Sequence, residues 1–116
     1  MNPGGVDVEA AGLNYIEVYQ RHGHLATPKP FTPGLEGVGI IRRVGDGVSN
    51  LKAGSRVAWV NVFGSYAGQL CFAEQAIVVP DSFSTEQALL FQGVTAQYLV
   101  KEYRTVRPGD GAWPKC

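Results

Sequence analysis

The sequence predicts a small, strand-rich domain, a sandwich or barrel, with a helical C-terminal end. Two observations carry this. Between residues 6 and 79 short alternating segments recur, separated by turn residues every eight to twelve positions. After Pro80 the period changes, and a helix-start signature is followed by apolar residues at helical spacing.

Val6-Asp7-Val8-Glu9-Ala10 alternates apolar and polar and reads as a half-buried strand. Asn14 is placed to cap a short helix from Tyr15 to His22, with Gly23 stopping it. Pro28, Pro30 and Pro33 make the stretch from His24 to Leu35 an extended, helix-free loop. Gly37 to Val44 is the next strand, and Gly39 inside it implies a bulge or a close backbone approach. Turns follow at Gly45-Asp46-Gly47 and Lys52 to Ser55, then a strand at Arg56 to Val60 and a loop at Gly64-Ser65. Tyr66 to Phe72 and Ala76 to Val79 are two more expected strands, with Cys71 expected in the core.

Ser84 and Gln87 form a capping box that should open a helix through Leu90. Gly93 is expected to interrupt it before a second stretch from Val94 to Tyr103, and Pro108-Gly109-Asp110 is a turn.

Composition narrows the function classes. The 116 residues are 45% apolar and 17% charged, a globular balance able to bury a core. Ten basic residues match ten acidic ones, so no electrostatic footprint for nucleic acid or an anionic membrane is present. The start lacks a signal-peptide pattern, and no continuous apolar run is long enough to span a bilayer. Two cysteines without CxxC spacing give neither a zinc signature nor a disulfide framework. A cytoplasmic, reducing compartment is the expectation. His22 and His24 flank Gly23 with no acid or cysteine at ligand spacing and read as solvated, so no metal site is expected. Arg42 and Arg43 are strand neighbours whose side chains leave opposite faces, which makes a joint phosphate clamp implausible.

Five segments occur in a telling order: AAGLNYIEVYQRHG, PGLEGVGIIRRVGDGV, AGSRVAW, GSYA and LLFQGVTAQYLV. Together they resemble the quinone oxidoreductase branch of the medium-chain dehydrogenase/reductase superfamily, over about residues 6 to 110. The resemblance implies a GroES-like, partly open β-barrel in residues 1–83, lacking its first strands. Residues 84–116 would then form a helical hinge and the start of an absent Rossmann domain. It also implies hydride transfer from NADPH to a quinone or conjugated enone, with the cofactor supplying the chemistry and the protein supplying orientation.

In the zinc-dependent branch the PGLEG segment reads G-H-E with a ligating histidine, and a cysteine follows A-A-G. Here those positions hold Leu35 and Asn14, which implies the zinc-free branch, since a catalytic zinc needs three protein ligands. Glu36 then stands as a buried acid bonded to backbone or paired with an arginine, or as a direct catalytic participant.

By the same resemblance Asn14 lies near the nicotinamide, bonding cofactor or a polarised substrate oxygen, unless it is only a helix cap. Tyr15 and Tyr19, four apart on one helical face, are catalytic candidates as hydroxyl donors to a quinone oxygen, with ordinary core packing as the alternative. Thr95 and Gln92 are implied cofactor contacts, with Gly93 letting backbone approach.

Departures from the family are also visible. Ser55 replaces an acid in the G-D-R-V turn, and Met1 to Gly5 stands where the opening strands belong. GAWPKC follows Asp110 where an apolar strand and a glycine-rich phosphate-binding turn belong. The expectation is a fragment or truncated form, inactive alone, whose unpaired edges favour a homodimer. The alternative is a non-catalytic GroES-like binding or dimerisation module. A free-standing co-chaperonin is a poor third, having no place for QGVTAQYLV or PGLEG.

Overall fold

The computed structural model describes residues 4–71 and 76–111. Five strands form one antiparallel sheet in the order β4-β1-β2-β3-β5. They are β1 (Gly5–Ala11), β2 (Glu36–Arg43), β3 (Arg56–Val60), β4 (Gln69–Leu70) and β5 (Ile77–Val78). The two outer strands, β4 and β5, do not pair with each other, so the sheet is open. Helix α1 (Tyr15–Arg21) lies between β1 and β2, and helix α2 (Leu90–Tyr98) follows the sheet and runs into a π-helical segment, Leu99–Tyr103.

The middle of the sheet is buried on both faces. Val57 and Trp59 of β3 point to one side with Val6 and Ile41. Ala58 points to the other, with Val38, Val79 and Ala88. That alternation follows from the strand period of two. Gly37 and Gly39 lie on the same side of β2 as Ile41, facing the tryptophan. A Cβ on Gly37 would lie 2.5 Å from the Trp59 ring, and one on Gly39 would lie 2.2 Å from the Asp7 carbonyl oxygen. The close approach expected at Gly39 is therefore β1 itself. Beside it the register slips between Val8 and Ala10, so Glu9 is an extra residue in β1, a bulge.

Trp59 is 1% exposed, and its Nε1 donates to Ser65 Oγ at 2.9 Å, which donates on to the Val62 carbonyl at 3.1 Å. Replacing Trp59 with phenylalanine keeps a ring but leaves the hydroxyl one partner short. The expected loss is about 2 kcal/mol, read as a lower urea midpoint with unchanged slope.

Several details differ from expectation. The strands near residues 66–72 and 76–79 shrink to two residues each. Tyr66 cannot join β4, because its N–H donates to the Pro33 carbonyl at 3.0 Å and ties it to the proline loop. Phe72 and residues 73–75 lie outside the described residues. Cys71, expected in the core, is exposed at the end of the edge strand.

The capping box at Ser84 does form, with Ser84 N–H donating to Gln87 Oε1 at 2.9 Å and Gln87 N–H to Ser84 Oγ at 3.2 Å. It closes a single turn and no helix follows directly, since Leu89 is extended at φ −76° and ψ 108°. Burial decides this: Ala88, Leu89 and Leu90 pack against the Val38 face of the sheet. Gly93, expected to break the helix, sits inside α2, because a glycine costs a helix only about 1 kcal/mol against alanine. Among the described residues no helix is long and apolar enough to cross a membrane.

Candidate functional site

The site grows from one carboxylate. Glu36, the first residue of β2, has no exposed surface. Its Oε1 accepts from Asn14 Nδ2 at 2.9 Å and its Oε2 accepts from the main-chain N–H of Phe91 at 2.8 Å. Phe91 is in the first turn of α2, where free N–H groups and the helix dipole favour an anion. Glu36 is thus a buried acid held by backbone and by Asn14. Gly12 exists to admit it, since a Cβ there would lie 2.1 Å from Oε1.

A second carboxylate holds the same asparagine from behind. Asn14 and Glu17 form a capping box at the start of α1. Glu17 is 2% exposed, and Asn14 N–H donates to its Oε2 at 2.6 Å. Asn14 is therefore gripped by Glu17 at its main chain and by Glu36 at its amide. Tyr66 closes the far side, its hydroxyl donating to the Gly12 carbonyl at 3.4 Å. Burial, then the carboxylates of Glu17 and Glu36, raise the Tyr66 pKa above the ordinary tyrosine value, so the neutral phenol is the favoured form.

On the outward side lies a groove of about 440 Å³ between α1 and α2. Asn14, Tyr15, Gln92 and Thr95 line it with the apolar Ile16, Phe91, Ala96 and Leu99. Four residues singled out from the sequence, from positions 14 to 95, thus meet in one place. Tyr19 does not line it; its ring meets Tyr15 edge-on at 5.1 Å and stacks on His24 at 6.0 Å.

The groove's polar groups are anchored inward. Gln92 Nε2 donates to the Leu13 carbonyl at 2.6 Å, and Thr95 Oγ1 donates to the Phe91 carbonyl at 2.8 Å. Sequence reasoning missed the apolar walls, although Phe91 and Leu99 sit inside the same LLFQGVTAQYLV segment that supplied Gln92 and Thr95.

Leu35, at the position of the zinc-binding histidine in the metal-dependent branch, is a buried core residue. Among the described residues no three His, Cys, Asp or Glu side chains gather as a metal would need.

Known proteins resemble this chain in sequence and fold. Residues 5–110 match the alcohol dehydrogenase GroES-like domain. A probable quinone oxidoreductase of Schizosaccharomyces pombe is 39% identical over 105 residues, covering 86% of this chain and 32% of that protein. The rat synaptic vesicle membrane protein VAT-1 homolog is 36% identical over 107 residues, 88% of this chain and 26% of its own length. The crystal structure of Escherichia coli quinone oxidoreductase complexed with NADPH superimposes with a TM-score of 0.77 at 33% identity, over 94% of this chain and 35% of that one. This chain spans between about a quarter and a third of the length of these relatives. It belongs to the alcohol dehydrogenase GroES-like domain family of the medium-chain dehydrogenase/reductase superfamily, on its quinone oxidoreductase side.

Proposed function

We propose that this chain is the substrate-side lobe and hinge, residues 1–83 and 84–116, of a zinc-independent oxidoreductase that passes hydride from NADPH to a quinone or conjugated enone. The observation that carries the reading is the groove between α1 and α2, where Asn14, Tyr15, Gln92 and Thr95 converge among apolar walls. Its size and mixed lining suit a flat ring with a few polar substituents. The relatives named quinone oxidoreductase, one of them solved with NADPH, supply the reaction class.

The donor set fits the nicotinamide end of such a cofactor, which when bound supplies the hydride. Phe91, Ile16 and Leu99 exclude water from the ring's faces. Asn14 and Thr95 orient it through polar atoms at the rim. Tyr15, 69% exposed and steadied by the Tyr19 ring, offers a hydroxyl to a quinone oxygen as negative charge develops there. Val94, Tyr98 and Tyr103, all exposed along α2 and the π-helical segment, support a further lobe or partner against that side.

The test is NADPH-dependent reduction of p-benzoquinone by the longest reading frame that carries this sequence. Turnover is expected, with Asn14→Ala lowering kcat/KM roughly five- to tenfold, the worth of about one hydrogen bond. Absence of any reduction with a range of quinones and enones would leave a non-catalytic binding module as the better reading.

The 116-residue chain alone is expected to bind NADPH more weakly than micromolar. Micromolar affinity needs about −8 kcal/mol, and the groove offers contacts to one ring and its neighbours only. A fluorescence titration giving a micromolar constant would contradict this.

A further inference from the structure

An exposed run of rings leads away from the groove, and the way α1 ends assembles it. His22 caps the helix, Gly23 follows at φ 77°, and His24 comes next. The Gly23 N–H donates to the Gln20 carbonyl at 3.2 Å, and the His24 N–H donates to the Tyr19 carbonyl at 2.9 Å. Two such bonds around a left-handed residue are a Schellman motif, which brings the residue after the glycine back onto the last turn. A side chain at position 23 would be strained in that conformation. On a continued helix residues 19 and 24 would face different ways. Here the chain folds back, and their rings stack at 6.0 Å and 29°.

Apolar side chains usually make the contact that accompanies this motif. In this chain an imidazole takes that place, and a second one backs it: the His22 ring meets His24 edge-on at 6.0 Å. Tyr19 is therefore touched twice, by His24 and by Tyr15, whose ring it meets edge-on at 5.1 Å. Tyr15 is the first residue of α1; it lines the groove and is 69% exposed. A helix leaves a tyrosine two open χ1 rotamers. At a position this exposed, the Tyr19 ring is what selects between them.

We propose that His24 is a positioning residue for Tyr15: by stacking on Tyr19 it fixes the ring that holds the Tyr15 hydroxyl in the groove. This rests on the reading of Tyr15 as the donor to a quinone oxygen. It gives the segment His22-Gly23-His24 a part in the site, although no side chain of that segment lines the groove. What position 24 requires is a flat ring, so phenylalanine should serve there and alanine should not.

The experiment has two arms. Three-bond couplings and ring NOEs on the 116-residue chain read the Tyr15 rotamer without any ligand. One χ1 rotamer should hold roughly nine-tenths of the population in the wild type, as one aromatic contact can maintain, and roughly half in His24→Ala. Gly23→Ala, which spoils the turn and leaves every ring in place, should give the same loss. His24→Phe should keep the wild-type value. In the longest reading frame that carries this sequence, His24→Ala should lower kcat/KM for p-benzoquinone about twofold, because the competent fraction halves. That loss should vanish in a Tyr15→Phe background, which keeps the ring and lacks the hydroxyl. An unchanged Tyr15 rotamer in His24→Ala overturns the proposal, and so does an equal redistribution in His24→Phe. A twofold loss that persists in the Tyr15→Phe background also overturns it, since His24 would then act by another route. If Tyr15→Phe alone leaves quinone reduction unchanged, the reading of Tyr15 as the donor fails, and the proposal falls with it whatever the rotamers show.

Discussion

Gly39→Ala is expected to cost about 3 kcal/mol or more, a large share of the roughly 5–15 kcal/mol that holds an ordinary domain folded. The added methyl would sit 2.2 Å from the Asp7 carbonyl oxygen and 2.9 Å from Val6 Cγ1. The first of these is backbone in the centre of the sheet, which no rotamer change can move. Relief requires β1 to separate from β2, and Val6 and Ile41 face each other across that pairing in the buried core. Thermal unfolding compared with Gly47→Ala separates sterics from glycine chemistry in general. Gly47 has open space around it, so its cost comes only from its left-handed φ of 87°. Equal losses at the two positions would contradict the packing argument.

Glu36→Ala is the second large effect, about 3 kcal/mol in stability. It removes a fully buried side chain and leaves the Phe91 N–H and the Asn14 Nδ2 without their acceptor. Those two groups belong to different elements, so the loss is also positional: the start of α2 and the start of α1 are no longer tied through one carboxylate. The Gln92 to Leu13 bond would still link the groove's walls, with one tie in place of two. Chemical denaturation measures the first part. Amide exchange at Phe91 and Gln92 measures the second, and faster exchange there than in β2 is expected. Uniform acceleration throughout the chain would mean Glu36 supports the fold without specially ordering the groove.

Much of this architecture was legible in the residues. The alternation of Val6 to Ala10 and the short apolar run of Arg56 to Val60 between turns dictated strands, and Asn14 with Gly23 bracketed α1 correctly, because each signal is local. Gly39 announced a close approach without saying to what; the partner, Asp7, is thirty-two positions away and only the sheet order reveals it. The Ser84 capping box formed and still opened no lasting helix. There the local signal was outweighed by the burial of Ala88 against Val38, a contact that periodicity does not encode. Cys71 read as core from its apolar neighbours, but β4 is an edge strand of two residues and leaves it exposed.

The site was half legible for the same reason. Resemblance brought Asn14, Tyr15, Gln92 and Thr95 forward as separate residues. What joins them is Glu36, whose partners lie 22 and 55 positions along the chain, and the glycine at position 12 that makes room for its carboxylate. A lone acid in PGLEGVG signals that something buried must satisfy it. The chain's topology alone decides that the something is an asparagine amide and a helix N–H.

Amide chemical-shift mapping of the chain with reduced nicotinamide mononucleotide tests the central claim most directly. Perturbations should cluster on Asn14, Tyr15, Gln92, Thr95 and Leu99, with Gln69 to Cys71 on the far edge of the sheet unmoved. Shifts centred on that far edge, where Arg42 and Asp7 line a second depression, would contradict the account and place the ligand elsewhere.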